Sequence, residues 1–305
     1  MAEIKTDVLD TSLQRKKFWN LKRKESMNGY LFILPWLIGF SIFFAFAIYR
    51  SLLISFSTIT NFTNFDVEWV GLEHYKRALT SDTRYLTGYA NTVKDMLITV
   101  PFINVFALLI AVMLNRKFKG RTVFRALFFL PVILGTGAAM WQLTSQGVSA
   151  EAMETAREVL LPREVAIYLG PKITDFFAYF LNMISTILWR SGVPIIIYLA
   201  GLQGVPSTLY EAARVDAATE WEMFWLITLP MITPMMLLNL VYTVIDNFND
   251  SSNFLLRYIN QISFGSRSET EYAAALSWLF FVWVIFVIAV IFLVMRPFVN
   301  KVKGR

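Results

Sequence analysis

The sequence predicts an all-α integral membrane protein with six transmembrane helices. Three observations carry that reading. Of 305 residues, 56% are hydrophobic, 16% aromatic and only 16% charged, where soluble domains carry about a quarter charged residues. Six mainly apolar runs reach the roughly 20 residues that a helix needs to cross a hydrocarbon core about 30 Å thick. Lys and Arg collect at alternate ends of those runs, as they do in cytoplasmic loops.

A polar N-terminal tail, 1–28, precedes a transmembrane domain over 29–305. The spans run at about 29–49, 92–115, 123–144, 176–202, 232–251 and 273–296. In the first, Ala45-Phe46-Ala47 imitates a signal-peptide cleavage site. The apolar run is too long for a signal peptide and a polar tail precedes it, so the span is read as uncleaved. The tail carries Lys5, Arg15, Lys16, Lys17, Lys22, Arg23 and Lys24. The turn NRKFKGRTVFR between spans two and three carries Arg116, Lys117, Lys119, Arg121 and Arg125, and the C-terminal end carries Arg296, Lys301, Lys303 and Arg305. Six spans put all three groups on one side, so both termini are expected in the cytoplasm. The formal charge of +6 is then a topology signal and not a basic face for nucleic acid. No cysteine and a single histidine, His74, exclude disulfides, thiolate chemistry and a histidine metal site.

The segment 203–232 departs from this charge pattern. On the side where cations are expected it has one, Arg214, against Glu211, Asp216, Glu220 and Glu222. A basic protein partner would account for that; a merely solvated acidic loop is the alternative. Pro206 with Ser207 or Thr208 opens a helix, and Thr208 to Glu211 has capping-box spacing, by which Glu211 would satisfy its own helix. Leu209, Ala212, Ala213 and Asp216 recur at three and four residues, a small-residue face that another surface could approach closely. A second helical stretch runs from Thr219 through Trp221, Phe224, Trp225 and Leu229 to Pro230, with aromatics suited to a membrane interface.

The stretch EAARVDAATEWEMFWLITLP, 211–230, resembles the EAA loop of permease subunits in binding-protein-dependent ABC importers, where EAA is followed by an acid and Gly and then by I-x-LP. Ala217 stands in place of that Gly and lacks its freedom at positive φ. VGLEHYKRALTSDTRYLTGYANT (70–92), FRALFFLP (124–131), IIYLAGLQGVP (196–206) and YAAALSWLFFVWVIF (272–286) resemble, in the same order, landmarks of the carbohydrate branch, the maltose-type permeases. The resemblance implies the type I importer fold in a bacterial or archaeal cell membrane. It also implies a transport subunit and not an enzyme. Its EAA loop would fit a cleft on one of two cytoplasmic ATPase subunits, whose closure on ATP flips the path from inward-facing to outward-facing. A second permease, a related chain or a copy, completes the pair, and an extracytoplasmic solute-binding protein delivers the sugar. ATP and Mg belong to the ATPase, and no cofactor is expected on this chain. Independently, no Gly-Lys dipeptide occurs, so the chain has no Walker A phosphate cradle. Carried over by motif, Glu211, Ala212, Ala213, Asp216, Ala217 and Pro230 are the coupling candidates, with Glu211 expected to pair with a cation on the ATPase.

Polar groups inside spans are costly in lipid and usually face the bundle. Asn182, Ser185, Thr186 and Trp189 share one face of span four, and Asn239, Tyr242, Thr243, Asp246 and Asp250 share one face of span five. Hydroxyls and amides beside an aromatic ring suit a saccharide; hydrogen bonding between helices is the alternative. Arg190 falls near the middle of span four with Gly192 and Pro194 behind it. Pro194 has no amide for the carbonyl of residue 190, so a kink is expected there, and broken helices at mid-membrane often line a binding site. Arg190 either pairs with Asp246 or faces substrate, in which case an acidic saccharide is favoured. Within the family a polyol phosphate or other small solute is an alternative cargo. From another class, an ion-coupled secondary transporter using Asp246 and Arg190 would leave the 203–232 segment unexplained. A membrane enzyme lacks a reactive constellation.

Overall fold

The computed structural model describes residues 26–61, 66–116, 118–135, 168, 170–250, 253–265 and 269–303. The cations of the N-terminal tail, Lys117, Arg305, residues 136–144 of the third expected span and most of the connection 145–175 lie outside the described residues. The described chain divides into two compact units, one holding residues up to Ala78 together with Ile262–Trp278 and the other Leu79–Gln261 together with residues from Leu279 onward.

In the first unit, helix α1 (Ser26–Ser55) is long and apolar enough to cross a membrane, and no residue of its most apolar stretch is buried. Its exposed rings form a ladder, Trp36 on Phe40 at 5.3 Å and Phe40 on Phe44 at 5.7 Å, through a π-helical turn at Ser41–Ala45. An antiparallel hairpin follows, β1 (Ser57–Asn61) and β2 (Asp66–Trp69), with Ser57 opposite Trp69 and a register shift between Ile59 and Asn61. Helix α2 (Glu73–Thr80) closes against it. The Ser55 and Tyr75 hydroxyls share a 2.8 Å hydrogen bond, and buried Glu271 accepts from the Ile59 amide at 2.8 Å. Arg77 pairs with Glu269 at 2.6 Å and lies over the Tyr272 ring at 4.1 Å. The hairpin has no counterpart in the sequence reading, because five and four residues of mixed polarity are too short to declare a strand period.

The second unit is built around α3 (Thr83–Asn115), which starts nine residues before the expected span two. Asp82 caps it by accepting from the Tyr85 amide at 2.9 Å, so the helix begins in polar sequence where hydropathy alone drew no boundary. Helices α4 (Arg121–Gly135), α5 (Pro171–Arg190), α6 (Gly192–Gln203), α7 (Ser207–Val215), α8 (Glu220–Met231), α9 (Thr233–Phe248), α10 (Phe254–Phe264) and α11 (Thr270–Lys303) follow, α11 entering this unit at Leu279. The core lies where Ala107, Ala111 and Leu114 of α3 meet Ile195, Tyr198, Leu199 and Leu202 of α6. Small residues on α3 let the two backbones approach, which is how helices pack in lipid, where apolar burial alone gives no preference for protein contact.

Among the described residues, α1, α3 and α11 are each long and apolar enough to span a membrane, and two bent pairs bring the number to five. Expected span four is the pair α5–α6, bent by 52° at Ser191, which realises the kink expected before Pro194. Expected span five is reached through α8 and α9, bent by 66° at Ile232. Helix α10 lies between spans five and six and was not expected as an element.

Candidate functional site

A polar cavity of about 460 Å³ opens in the second unit between α3, α5, the end of α9 and α10. From α3 it takes Asn91, Thr92, Lys94, Asp95 and Thr99, which fall on one stripe. From α5 come Tyr179, Met183, Thr186 and Arg190; Asn247 comes from the end of α9, Asp250 and Asn253 from the connection after it, and Phe254 and Arg257 from α10. Helix α10 is held in place by local chemistry. Asn253 caps it, accepting from the Leu255 amide at 2.9 Å, and also accepts from the Thr92 hydroxyl at 3.2 Å. Tyr258 donates to Asp82 at 2.8 Å. Gly88 admits the Phe254 ring so closely that a Cβ there would stand 2.4 Å from it.

Arg190 pairs with Asp250, not with Asp246 as the sequence suggested. Asp250 does not continue the face that carries Asp246, because α9 ends at Phe248, and the long guanidinium stem reaches it two residues beyond the helix. Of the expected path residues, Thr186, Arg190 and Asp250 line the cavity. Tyr242 and Asp246 are half-buried off its lining, and Ser185 and Trp189 lie on an exposed face of α5. The side chain of Asn182 lies outside the described residues.

Asn239 and Thr243 are fully buried in a knot that joins three helices. Asn239 donates to the Pro194 carbonyl at 3.0 Å, Thr243 donates to the Asn239 carbonyl at 2.6 Å, and Asn104 of α3 donates to Thr243 at 3.2 Å. Tyr198 donates to Asn104 at 2.9 Å. These groups act as interhelical hydrogen bonds, the alternative that periodicity left open. The sequence reading missed the α3 stripe because span two was drawn from residue 92, which left Asn91 outside and Lys94 and Asp95 at its edge. An acid and a base one turn inside an apolar run were the signal that could have found it.

The 203–232 segment forms two helices, neither packed into the core along its length. No residue of α7 is buried. Its N-cap is Pro206, without a side-chain cap bond, which leaves Glu211 in the fifth helical position, too deep to cap. The capping box expected at Thr208 and Glu211 is instead one helix later. The Glu222 carboxylate accepts from the Thr219 amide at 2.7 Å, and the Glu222 amide donates to the Thr219 hydroxyl at 3.3 Å. Hydrogen bonds from the Thr219 backbone and side chain hold the Glu222 carboxyl below the usual range. Glu211, Ala212, Asp216 and Ala217 are exposed, and Ala213 and Pro230 are partly covered. Ala217 has φ 57, alone at positive φ among the described non-glycine residues. Around it the Ala218 amide donates to the Ala213 carbonyl at 2.9 Å and the Ala217 amide to the Arg214 carbonyl at 3.1 Å, a Schellman closure. The bend that Gly usually serves is made with Ala. Tyr210 shares a 2.9 Å hydrogen bond with Thr228, fixing α7 to a π-helical turn of α8 at Phe224–Thr228.

Residues 83–300 match the family model described as the binding-protein-dependent transport system inner membrane component. The chain belongs to this family. Among similar proteins, the probable ABC transporter permease protein YesP of Bacillus subtilis is 35% identical over 231 residues, covering 74% of this chain and 72% of YesP. The lactose transport system permease protein LacF of Rhizobium radiobacter is 29% identical over 281 residues, covering 85% of this chain and 91% of LacF. A solved bacterial alginate ABC transporter, in complex with its alginate pentasaccharide-bound periplasmic protein, shares the fold at TM-score 0.59 and 20% identity, over 90% of this chain and 96% of that one. The permease is thus a membrane-embedded transport subunit of an ABC system, and the ATPase is a separate subunit. Among its described residues no cluster of acids and histidine could hold a metal ion.

Proposed function

We propose that the permease forms one half of a transmembrane pair, with six spans and both termini in the cytoplasm of a bacterial or archaeal cell, and moves an oligosaccharide through the cavity between α3, α5, α9 and α10. The cavity carries this reading: hydroxyls and amides from Asn91, Thr99 and Asn247 stand with Tyr179 and Phe254, the hydrogen-bonding groups and flat apolar surfaces that a sugar ring needs. LacF, by its name a lactose permease, supports a carbohydrate cargo. An acidic sugar is favoured, because Arg190 is neutralised by Asp250, while Lys94 and Arg257 line the same cavity with no side-chain partner among the described residues. Against these two cations stands one further acid, Asp95. A solute-binding protein delivers the sugar, a second permease supplies the other wall, and one of two ATPase subunits docks on α7. There Glu211 is the contact for a basic residue, with Ala212, Ala213, Asp216, Ala217 and Pro230 as the other docking and coupling residues.

The experiment is ATP-driven uptake by the reconstituted complex, comparing an oligogalacturonide with a neutral maltooligosaccharide. Lys94→Gln with Arg257→Gln should reduce acidic uptake about tenfold, equivalent to losing one good charged contact, and leave neutral uptake intact. Uptake that persists without the ATPase, or equal loss of both sugars, would reject the reading. Glu211→Lys should release the ATPase while the permease stays in the membrane.

A further inference from the structure

Three charges connect the end of α3 to the segment that holds α7 and α8. Arg116, the C-cap residue of α3, lies 3.9 Å from Glu220, the first residue of α8, and Arg214 of α7 lies 3.6 Å from the same carboxylate. The two contacting groups complement the helix ends on which they sit, a cation at a C-terminus and an acid at an N-terminus. Below this charged rim is a groove of about 610 Å³, with Leu108, Leu109 and Val112 of α3 on one side and Met223 and Phe224 of α8 on the other. All three charged side chains are well exposed. Exposed pairs of this length are weak and exchange readily, and the groove leaves α8 room to shift against α3. The opposite half of α3 carries Asn91 to Thr99 into the polar cavity.

We propose that Glu220 is a positioning residue through which displacement of α7 and α8 is passed to α3, by exchange of its contacts with Arg214 and Arg116, so that ATPase closure reshapes the cavity wall. The inference rests on the coupling reading above. It differs from docking in one respect: Glu220 faces the permease's own arginines, so altering it should leave the ATPase bound.

The test uses the full complex in nanodiscs with nitroxide labels at Leu97→Cys of α3 and Ile184→Cys of α5. The label distance is measured with and without ATP and vanadate, and ATP hydrolysis is followed in parallel. The parent complex should show an ATP-driven distance change. Glu220→Lys should keep the ATPase bound and hydrolysing while most of the distance change is lost. Reversing all three charges, with Arg116→Glu and Arg214→Glu added, should restore it. An undiminished change in Glu220→Lys, loss of the ATPase, or failure of the reversal to restore the change would overturn the inference. A parent complex with no ATP-driven change would overturn the coupling reading itself and this inference with it.

Discussion

Arg190 occupies the break between α5 and α6, with its side chain only 12% exposed and its charge met by Asp250. Pro194, also buried, leaves the carbonyl of residue 190 without a helical amide, and the chain turns there instead of continuing straight. A buried pair of this kind contributes little net stability, but removing one partner strands the other charge at a cost of about 3 to 5 kcal/mol. Arg190→Gln should therefore lower the melting temperature of the solubilised permease markedly, and adding Asp250→Asn should recover most of the loss. If the double variant melts no higher than Arg190→Gln, Asp250 is not what holds the guanidinium. Asp246, the partner periodicity suggested, should rescue less, because it lies beside the pair and not in it.

At the scale of elements, α7 and α8 show how a helix pair with few buried residues can be fixed by its ends. Their ends are set by a Schellman closure at Ala217 and a capping box at Thr219 and Glu222. An L-residue at positive φ costs about 1 to 2 kcal/mol, and Gly gives back about 0.5 to 1 in unfolded-state entropy, so Ala217→Gly should stabilise the bend by at most about 1.5 kcal/mol. Thr219→Ala should weaken the start of α8 by about 1 kcal/mol. Amide exchange across 207–223 measures both: protection should rise in the first variant and fall in the second. The Glu222 contribution has a defined sign with pH. Its carboxyl is depressed in the folded state, so its stabilisation is complete above the ordinary carboxylate range and fades only as pH falls through the lower folded value. Protection that weakened between pH 5 and 8 would need another titrating group. The acidic segment, its two helices and the kink before Pro194 were legible in the sequence, because Pro, capping residues and charge act locally. Helix α10 was not. FLLRYINQISF is too short for a span, and its place depends on Gly88 admitting Phe254 and on Tyr258 reaching Asp82, contacts between distant parts of the chain. Asn239 and Thr243 show the same limit: a polar stripe on a helix is visible in sequence, but whether it faces a cavity or another helix is decided by packing.

For the whole molecule, the proposed orientation has a direct check, since the chain has no cysteine to give background labelling. Lys119→Cys and Ser207→Cys should be shielded from an impermeant maleimide in intact cells, while Ser81→Cys and Asn260→Cys should react. One reversed site would break the six-span arrangement. The knot at Asn104 has a consequence for how such a molecule can move. Helix α3 has 33 residues, about 50 Å at 1.5 Å per residue, and Asn104 is its fixed point among α6 and α9. Arg116 lies about 18 Å to one side of that pivot and Asp95 about 13 Å to the other. A tilt of about 10° about the knot would carry the two ends in opposite directions by about 3 Å and 2 Å. Pro101, inside α3 and three residues from the pivot, provides a joint at which the arms can swing unequally. A push at the Arg116 end would then arrive in the polar cavity as a smaller pull of reversed sign, the behaviour of a lever with Asn104 as its fulcrum.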